Sequence, residues 1–247
     1  MAPARPTLLE IAANSLASAL AAQEGGADRI ELCTALELGG LTPTHAQISL
    51  VRERVRLPIH VLIRPRGGDF VYSDLEFETM QRDIESCAAL GCDGVVIGAL
   101  DAAGNIDARC SALIGAAGKL DITFHRAIDV SRDPRRALEE IIALRCRRVL
   151  TSGARACALD GVAMIRELIA QSNGRVAVMP GAGVDATNVA AIRLSTGARE
   201  FHASAKRRLP SRGAPAPGSA AGMEEGELRT DIEQVRALVA ALRGTAD

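Results

Sequence analysis

Gly26-Ala-Asp-Arg-Ile-Glu-Leu-Cys33 is the first of four segments in which a residue that ends a helix leads into a hydrophobic strand. The other three are Gly91-Cys-Asp-Gly-Val-Val-Ile-Gly98, Arg145-Cys-Arg-Arg-Val-Leu-Thr-Ser152 and Gly197-Ala-Arg-Glu-Phe-His-Ala-Ser204. Four further apolar runs lie before and between them, at 8–12, 59–65, 122–127 and 176–181. Eight strands that alternate with helices in an internal repeat predict an α/β protein, a single-domain (β/α)8 TIM barrel.

The size and composition of the chain agree with this prediction. A barrel of this type takes about 250 residues and forms one domain, and the chain has 247, so we expect one domain over 1–247. Hydrophobic residues make up 48% of the sequence and there is no Trp, so we expect branched aliphatic side chains to fill the barrel interior. A net charge of -1 argues against nucleic-acid or membrane-surface binding, because both require a basic excess.

The sequence also predicts the compartment. It has no run of 18 or more apolar residues, and residues 1–7 lack the apolar core of a signal peptide, so we expect a cytoplasmic protein without a membrane partner. The six cysteines contain no C-x-x-C pair. This favours reduced, mostly buried thiols over a disulfide framework or a zinc site.

Polar residues interrupt the predicted strands near their carboxyl ends. The odd-numbered strands end in Leu9-Glu10, Ile63-Arg64, Phe124-His125 and Val178-Met179, which predicts that the second residues of these pairs form one layer of the barrel. The even-numbered strands place the Glu31 carboxylate and the His202 imidazole in equivalent positions. Active sites of this fold lie at the carboxyl ends of the strands, so five residues are candidate catalytic groups: Glu10, Glu31, Arg64, His125 and His202. The alternative is a buried polar plug whose members satisfy one another.

These residue types suit acid–base chemistry on an anionic ligand. Either His125 or His202 can donate or accept a proton near neutral pH. An unpaired guanidinium is costly in a barrel, so we expect Arg64 to pair with Glu10 or Glu31. His45 and His60 are predicted to be structural, since one lies early in a helix and the other near the entry of a strand.

Loops after the strands offer further anion-binding groups. The glycine-hinged loop after strand three carries Arg66 and Asp69, which either grip a ligand or pair with each other at the rim. Glycine turns after strands seven and eight are a usual phosphate-binding position in barrels; the alternative here is a tight turn without a ligand. The remaining candidate anion-binding residues are Ser152, Gly153, Gly181, Gly183 and Ser204.

The segment 207–226 is rich in Arg, Pro, Gly, Ala and Ser. It is predicted to be a long mobile loop, either a lid over the barrel mouth or disordered. The spacing of apolar residues from Asp231 to Arg243 predicts the closing eighth helix.

The sequence resembles the CutC copper homeostasis family from about Leu8 to Arg243. The motifs that carry the resemblance are Gly25-Gly-Ala-Asp-Arg-Ile-Glu-Leu-Cys33, Leu38-Gly-Gly-Leu-Thr-Pro43, Ile63-Arg-Pro-Arg-Gly-Gly-Asp-Phe-Val-Tyr72, Thr123-Phe-His-Arg-Ala127, Leu150-Thr-Ser-Gly153, Met179-Pro-Gly-Ala-Gly183 and Glu200-Phe-His-Ala-Ser204. The resemblance implies a cytoplasmic barrel, often a homodimer, with a role in copper tolerance and a suggested capacity to bind copper.

Two hypotheses for function therefore remain open, and the family resemblance favours the first, a copper homeostasis protein that binds copper. Copper(I) prefers thiolates and thioethers, and near the mouth the chain offers Cys33 and Met179 as metal ligands, with an imidazole to complete a site; the neighbouring Arg64 would repel a cation. The second hypothesis is a lyase or isomerase that acts on a small anionic compound, phosphorylated or not. No organic cofactor is predicted, and the sequence leaves open whether a reaction is catalysed.

Overall fold

The computed structural model describes residues 7–210 and 226–244. The strands are Leu8–Ala13 (β1), Arg29–Leu32 (β2), Ile59–Leu62 (β3), Gly94–Ile97 (β4), Asp121–Phe124 (β5), Arg148–Thr151 (β6), Ala177–Pro180 (β7), Glu200–Ala203 (β8), Lys206–Leu209 (β9) and Glu227–Thr230 (β10). The α-helices are Leu16–Gly25 (α1), His45–Arg54 (α2), Asp74–Ala89 (α3), Cys110–Ala117 (α4), Pro134–Ala143 (α5), Val162–Ser172 (α6), Val189–Thr196 (α7) and Ile232–Arg243 (α8). Short 3-10 helices span Leu36–Leu38 and Arg126–Val130.

The first eight strands form one parallel sheet in which each strand pairs with its neighbour along the chain, and β1 also pairs with β8. Strands β7 and β8 lie side by side, so that the sheet closes into a barrel with the helices outside. The predicted (β/α)8 TIM barrel is confirmed. None of the helices in the described parts of the chain has both the length and the apolar character needed to cross a bilayer.

The internal repeat has a physical basis in how four helices end. Helices α1, α3, α5 and α7 are each followed by a residue with a left-handed backbone: Gly26, Gly91, Arg145 and Gly197. This conformation turns the chain from a helix end back into the next strand, and glycine adopts it at no steric cost. Arg145 is the one member of this group that carries a side chain, with φ of 59°.

The main hydrophobic core lies between the barrel and its helices, where residues such as Ile30, Ile59 and Phe201 are fully buried. The barrel interior is different, and the expectation of branched aliphatic filling is wrong for its lower part. Arg29 on β2 contacts Met179 on β7, and Arg148 on β6 contacts His60 on β3. These strands are not neighbours, so the contacts cross the interior, which holds a network of charged side chains.

The ends of two predicted elements differ from the structure. Residues 207–209, predicted as loop, belong to β9, which pairs with β10 in a two-stranded antiparallel sheet. Residues 211–225 of the predicted loop lie outside the described residues. The sequence after strand seven predicts a helix that begins at Asp185, but α7 begins at Val189, because the Asp185 carboxylate accepts hydrogen bonds from Thr187 and closes a turn there instead. Helix α8 begins where predicted, with Asp231 as its N-cap.

Candidate active site at the barrel mouth

A cavity of about 480 Å³ opens at the carboxyl ends of the strands. Of the residues predicted from sequence, six line it: Glu31, Arg64, His125, Gly183, His202 and Ser204. The remaining predicted residues lie outside its lining: Glu10, Cys33, Arg66, Asp69, Ser152, Gly153, Met179 and Gly181. The cavity at the barrel mouth thus brings together six of the fourteen residues predicted from the pattern of strand ends and loops, and the contacts of several of them differ from the prediction.

The predicted single layer of strand-end residues is wrong. Glu10 lies in the middle of β1, beside Arg29 on β2 and His202 on β8. Arg64 is the second residue after β3, and His125 directly follows β5. Strands in a barrel are staggered relative to one another, so equal distance from a strand end does not give equal height along the barrel axis.

Glu10, Glu31 and His202 form a compact cluster between the charged interior and the cavity. One donor atom from each lies within 4.8 Å of the others. Glu10 is fully buried, and its two oxygens lie 2.8 Å from His202 Nδ1 and 2.5 Å from Arg29 Nε. Glu31 lies above it at the cavity surface, and its Oε2 is buried without a hydrogen-bond partner. An unpartnered buried carboxylate oxygen is costly, so Glu31 is the unsatisfied member of the cluster.

The protonation of the cluster follows from these contacts. Burial raises the pKa of Glu31 to about 7, because the partial attraction of His202 and Arg29 does not offset its desolvation. Burial alone would raise the pKa of Glu10 too, but Arg29 and His202 hold it well below its usual range. The pKa of His202 is raised, since Glu31 and Glu10 outweigh the effect of burial. With a pKa of about 7, the Glu31 carboxyl group can both take up and release a proton at neutral pH.

Charged residues beneath the cluster hold Glu10 in place. Arg29 bridges Glu10 and Glu200, and Arg148 donates to Glu200 at 3.1 Å and to Thr123 at 3.3 Å. Arg29 was not among the predicted site residues, although Arg29-Ile30-Glu31 gives a period-2 signal that directs both charged side chains to one side of the strand. The predicted structural role of His60 fits the geometry: it is buried, and burial lowers its pKa to about 4.

Arg64 does not pair with Glu10 or Glu31, so that prediction is wrong. Its Nη1 donates to the carbonyl oxygens of Leu38 and Gly40, and its Nη2 donates to that of Gly68. Carbonyl groups from two loops thus accept from both terminal nitrogens, while Nε is buried without a hydrogen-bond partner. Arg64 therefore fastens the loops after β2 and β3 to each other at the cavity wall.

Arg66 and Asp69 form the ion pair that was the alternative to ligand binding. Arg66 lies 3.0 Å from Asp69 and 2.6 Å from Glu76, at the exposed start of α3. These contacts secure the glycine loop at the rim. The loop also supplies Phe70, whose ring lies 5.0 Å from the Arg64 guanidinium carbon and which lines the cavity.

His125 is held in one orientation. Its ring lies against Gly98, where an added Cβ would come within 2.4 Å of the ring. Its Nδ1 accepts a hydrogen bond from the backbone N–H of Ala127 at 3.1 Å, while its Nε2 is buried without a partner. Burial, reinforced by Arg64, lowers the pKa of His125 to about 3.

Two cationic residues that line the cavity, Arg126 and Lys206, were not among the predicted site residues. Arg126 follows His125 directly, and Asp129 and Ser152 fix its guanidinium at 2.9 and 3.0 Å. Ser152 is thus a support of Arg126 rather than a cavity residue. Lys206 lies two residues after Ser204. Closeness in sequence to a predicted site residue is therefore the signal that could have found both Arg126 and Lys206.

Strained backbone surrounds the mouth. Four alanines have positive φ: Ala35, Ala154, Ala182 and Ala205. They follow β2, β6, β7 and β8, and each costs about 1–2 kcal/mol relative to a right-handed conformation. Strain of this kind is concentrated at functional sites, where surrounding structure enforces it.

The two predicted metal ligands have different surroundings. The Cys33 thiol packs with Leu62 and Val96, and burial, followed by Glu31, raises its pKa well above the usual range. The Met179 sulfur accepts from Arg29 at 3.4 Å. A metal-sized group of His, Cys, Asp and Glu occurs once in residues 7–210 and 226–244, at Glu10, Glu31 and His202. Its oxygen and nitrogen donors do not fit copper(I), which prefers sulfur, and Arg29 opposes any cation there.

Known proteins resemble the chain over nearly its whole length. The sequence model of the CutC family matches residues 7–207. CutC family proteins from Xylella fastidiosa Temecula1 and Xanthomonas campestris B100 are 57% and 56% identical to it; each match covers 95% of this chain, and 88% and 98% of those proteins. The crystal structure of Streptococcus agalactiae CutC, a protein named for copper homeostasis, has a TM-score of 0.76 and 32% identity over 79% of this chain and 97% of its own. The chain belongs to the CutC family.

Proposed function

We propose that this protein is an enzyme, a lyase or an isomerase, that moves a proton on a small anionic compound bound at the barrel mouth. The observation that carries the proposal is the Glu31 carboxyl group: it lines the cavity, one of its buried oxygens has no partner, and its pKa is raised to about 7. A group that titrates near the working pH is the most effective general acid or base.

The other cavity residues fit supporting roles. Glu10 keeps the His202 imidazole oriented and favours its protonated form. Arg126 and Lys206, which line the same cavity as Gly183, offer positive charge to the anionic part of a ligand. Arginine binds carboxylates and phosphates through paired N–H groups, so either anion suits this wall.

A thermal-shift screen of carboxylates and phosphomonoesters tests the proposal. A ligand at a hundred times its dissociation constant adds about 2.7 kcal/mol, which is a rise in Tm of about 5–11 °C for a domain of this size. Arg126→Met and Lys206→Met should lose most of that rise. Arg82→Met, which removes an exposed charge on α3 that pairs with Glu78, should keep it. A screen in which no anion raises the wild-type Tm above that of Lys206→Met would count against an anion-binding pocket.

A second candidate function is copper homeostasis, which the family resemblance and the name of the S. agalactiae relative favour. Its direct form is copper(I) binding by Cys33 with help from Met179 or a histidine. The apolar surroundings and raised pKa of Cys33 weigh against it, because the thiolate is the ligand. Cys33→Ser should abolish copper(I) binding in a chelator competition assay if this form holds, with Cys87→Ser and Cys157→Ser as controls; equal affinity in all four proteins would exclude it.

We also propose that the protein acts in the cytoplasm as a homodimer, as the family resemblance implies. Light scattering coupled to size-exclusion chromatography measures the mass directly. A single peak at the mass of one 25.8 kDa chain would contradict the dimer.

A further inference from the structure

The described residues contain four buried side-chain nitrogen or oxygen atoms without a hydrogen-bond partner, on Glu31, Arg64, Tyr72 and His125. Tyr72 and Arg64 interact with each other electrostatically. Three of these residues, Glu31, Arg64 and His125, line the same cavity. Loop carbonyl groups hold Arg64 through its other two nitrogens, so the ligand chemistry depends on the unpartnered Glu31 Oε2 and His125 Nε2. Such groups are costly unless a ligand or water completes them. The nature of the two groups therefore restricts the ligand.

The tautomer of His125 follows from its one backbone contact. A backbone N–H can only donate, so Nδ1, which receives the N–H of Ala127, is the unprotonated nitrogen. Phe70 and Phe124 lie beside the ring, and Gly98 lies beneath its Nδ1–Cε1 edge. Among charged neighbours, Arg64 and Arg126 disfavour the cation more than Asp129 favours it. The neutral ring carries its proton on Nε2, so the ring presents a hydrogen-bond donor.

We infer that His125 does not transfer a proton, and that the cavity is built for a carbonyl compound whose oxygen accepts the His125 Nε2–H while Glu31 removes a proton from the adjacent carbon. This inference rests on the proposed function and deepens it, since it assigns the substrate to small oxo anions such as 2-oxo acids. It also replaces the expectation that His125 acts as an acid or base.

The step balances within the cavity. The Glu31 carboxylate forms an O–H bond as the C–H bond beside the carbonyl breaks. The released electron pair forms the carbon–carbon double bond, and the carbonyl π electrons move to oxygen. A neutral imidazole N–H stabilises the resulting enolate without giving up its proton. If the enolate is conjugated with a further carbon–carbon double bond, return of the proton from Glu31 to the far carbon moves that double bond, which is an isomerase reaction. If the next carbon carries a leaving group, the enolate reforms the carbonyl and a carbon–carbon double bond as that group departs with its bonding electron pair and takes the proton from Glu31, which is a lyase reaction.

The tautomer can be measured on the unmodified protein. In ¹⁵N NMR of histidine-labelled wild type, the His125 ring should stay neutral with its proton on Nε2 from pH 8 to pH 5, and addition of oxalate, a planar analogue of a 2-oxo acid enolate, should shift that proton's signal. A ring that is protonated on Nδ1, that becomes an imidazolium near the ordinary pKa of about 6.5, or that does not respond to oxalate overturns the inference.

Two substitutions separate hydrogen-bond donation from proton transfer. His125→Gln keeps an N–H near the Nε2 position, so its oxalate Kd should stay within about threefold of wild type, whereas His125→Phe should weaken oxalate at least about tenfold, the size of one charge-assisted hydrogen bond. His45→Phe, an exposed histidine at the start of α2, is the matched control and should change nothing. Equal oxalate affinity in wild type and His125→Phe overturns the inference.

Inorganic phosphate distinguishes failure of this inference from failure of the proposed function. If phosphate affinity depends on Lys206 but oxalate affinity does not depend on His125, the results support the anion pocket and contradict the carbonyl assignment. If the wild type binds neither phosphate nor oxalate, the result contradicts both the proposed function and the carbonyl assignment. In the favourable case, hydrogen exchange at the methyl group of pyruvate in D₂O should be lost in Glu31→Gln and reduced in His125→Phe more than in His125→Gln.

Discussion

Glu31→Gln should make the protein more stable at alkaline pH. Burial raises the pKa of Glu31 from 4.5 to about 7, so the folded protein binds more protons than the unfolded chain between these values, and stability falls as the pH rises through this window. A shift of this size corresponds to about 3 kcal/mol at about 1.4 kcal/mol per pKa unit. Glutamine has no charge to bury and avoids this loss.

His202 loses the favourable charge of Glu31 in this variant, which opposes the gain. We therefore expect a net stabilisation of about 1–3 kcal/mol at pH 8 that shrinks toward zero near pH 4. Urea unfolding at several pH values measures it, with m-values compared to confirm that the transition is unchanged. A Glu31→Gln difference that is the same at pH 5 and pH 8 would refute the assignment of a raised pKa to Glu31.

Glu10→Gln is the matched control, because this carboxylate lies in the same cluster with the opposite shift. Its pKa is well below the usual range, so its ionised form contributes stability above the unfolded pKa, and this contribution is lost as the pH falls toward the folded pKa. Removal of the charge leaves Arg29 with Glu200 alone as an acidic partner. A buried pair that loses one member costs about 3–5 kcal/mol, so we expect a loss of stability at pH 7 where Glu31→Gln gives a gain.

Three further predictions concern single residues. Arg145→Gly places glycine at the left-handed position where the other three repeats have it, so urea unfolding should show a gain of about 1 kcal/mol; a loss would contradict the strain argument. Gly98→Ala adds a Cβ that meets the His125 ring at 2.4 Å and should cost about 1–3 kcal/mol and weaken oxalate binding in calorimetry; unchanged binding would contradict it. Arg29→Met leaves Glu10 buried without its guanidinium partner, so the free energy of unfolding measured in urea should fall by about 3–5 kcal/mol. A fall of less than about 1 kcal/mol would contradict this prediction.

The fold was predictable because the relevant signal is local and repeated. Each strand is an apolar run of a few residues, and the residue that ends the preceding helix marks its start. The positions of Glu31, Arg64, His125 and His202 near strand ends then place them at one end of a parallel barrel. This reasoning needs only the direction of each strand.

The partners of these residues were not predictable in the same way. Arg64 bonds to carbonyl groups of residues 38, 40 and 68, and such contacts depend on the path of two loops that no periodic pattern encodes. Barrel stagger separates Glu10 from the strand-end residues in height. The charged interior was missed because Val, Ile and Leu are the usual filling of barrels, although Arg29-Ile30-Glu31 alternates with the period that places two charges on one side.

The contrast between the two carboxylates favours the proposed reaction site over a structural polar plug. A plug that exists for stability would satisfy both groups, and well-packed apolar residues of similar volume would serve stability equally well. Here Arg29 and His202 take both oxygens of Glu10, while Glu31, at the cavity, has an oxygen with no partner and a pKa near 7. Neighbouring titratable groups whose environments push their pKa values apart are the signature of acid–base assignments in enzymes. The charged interior thus keeps Glu10 ionised and in place, and Glu31 is left with a proton to exchange with whatever occupies the cavity.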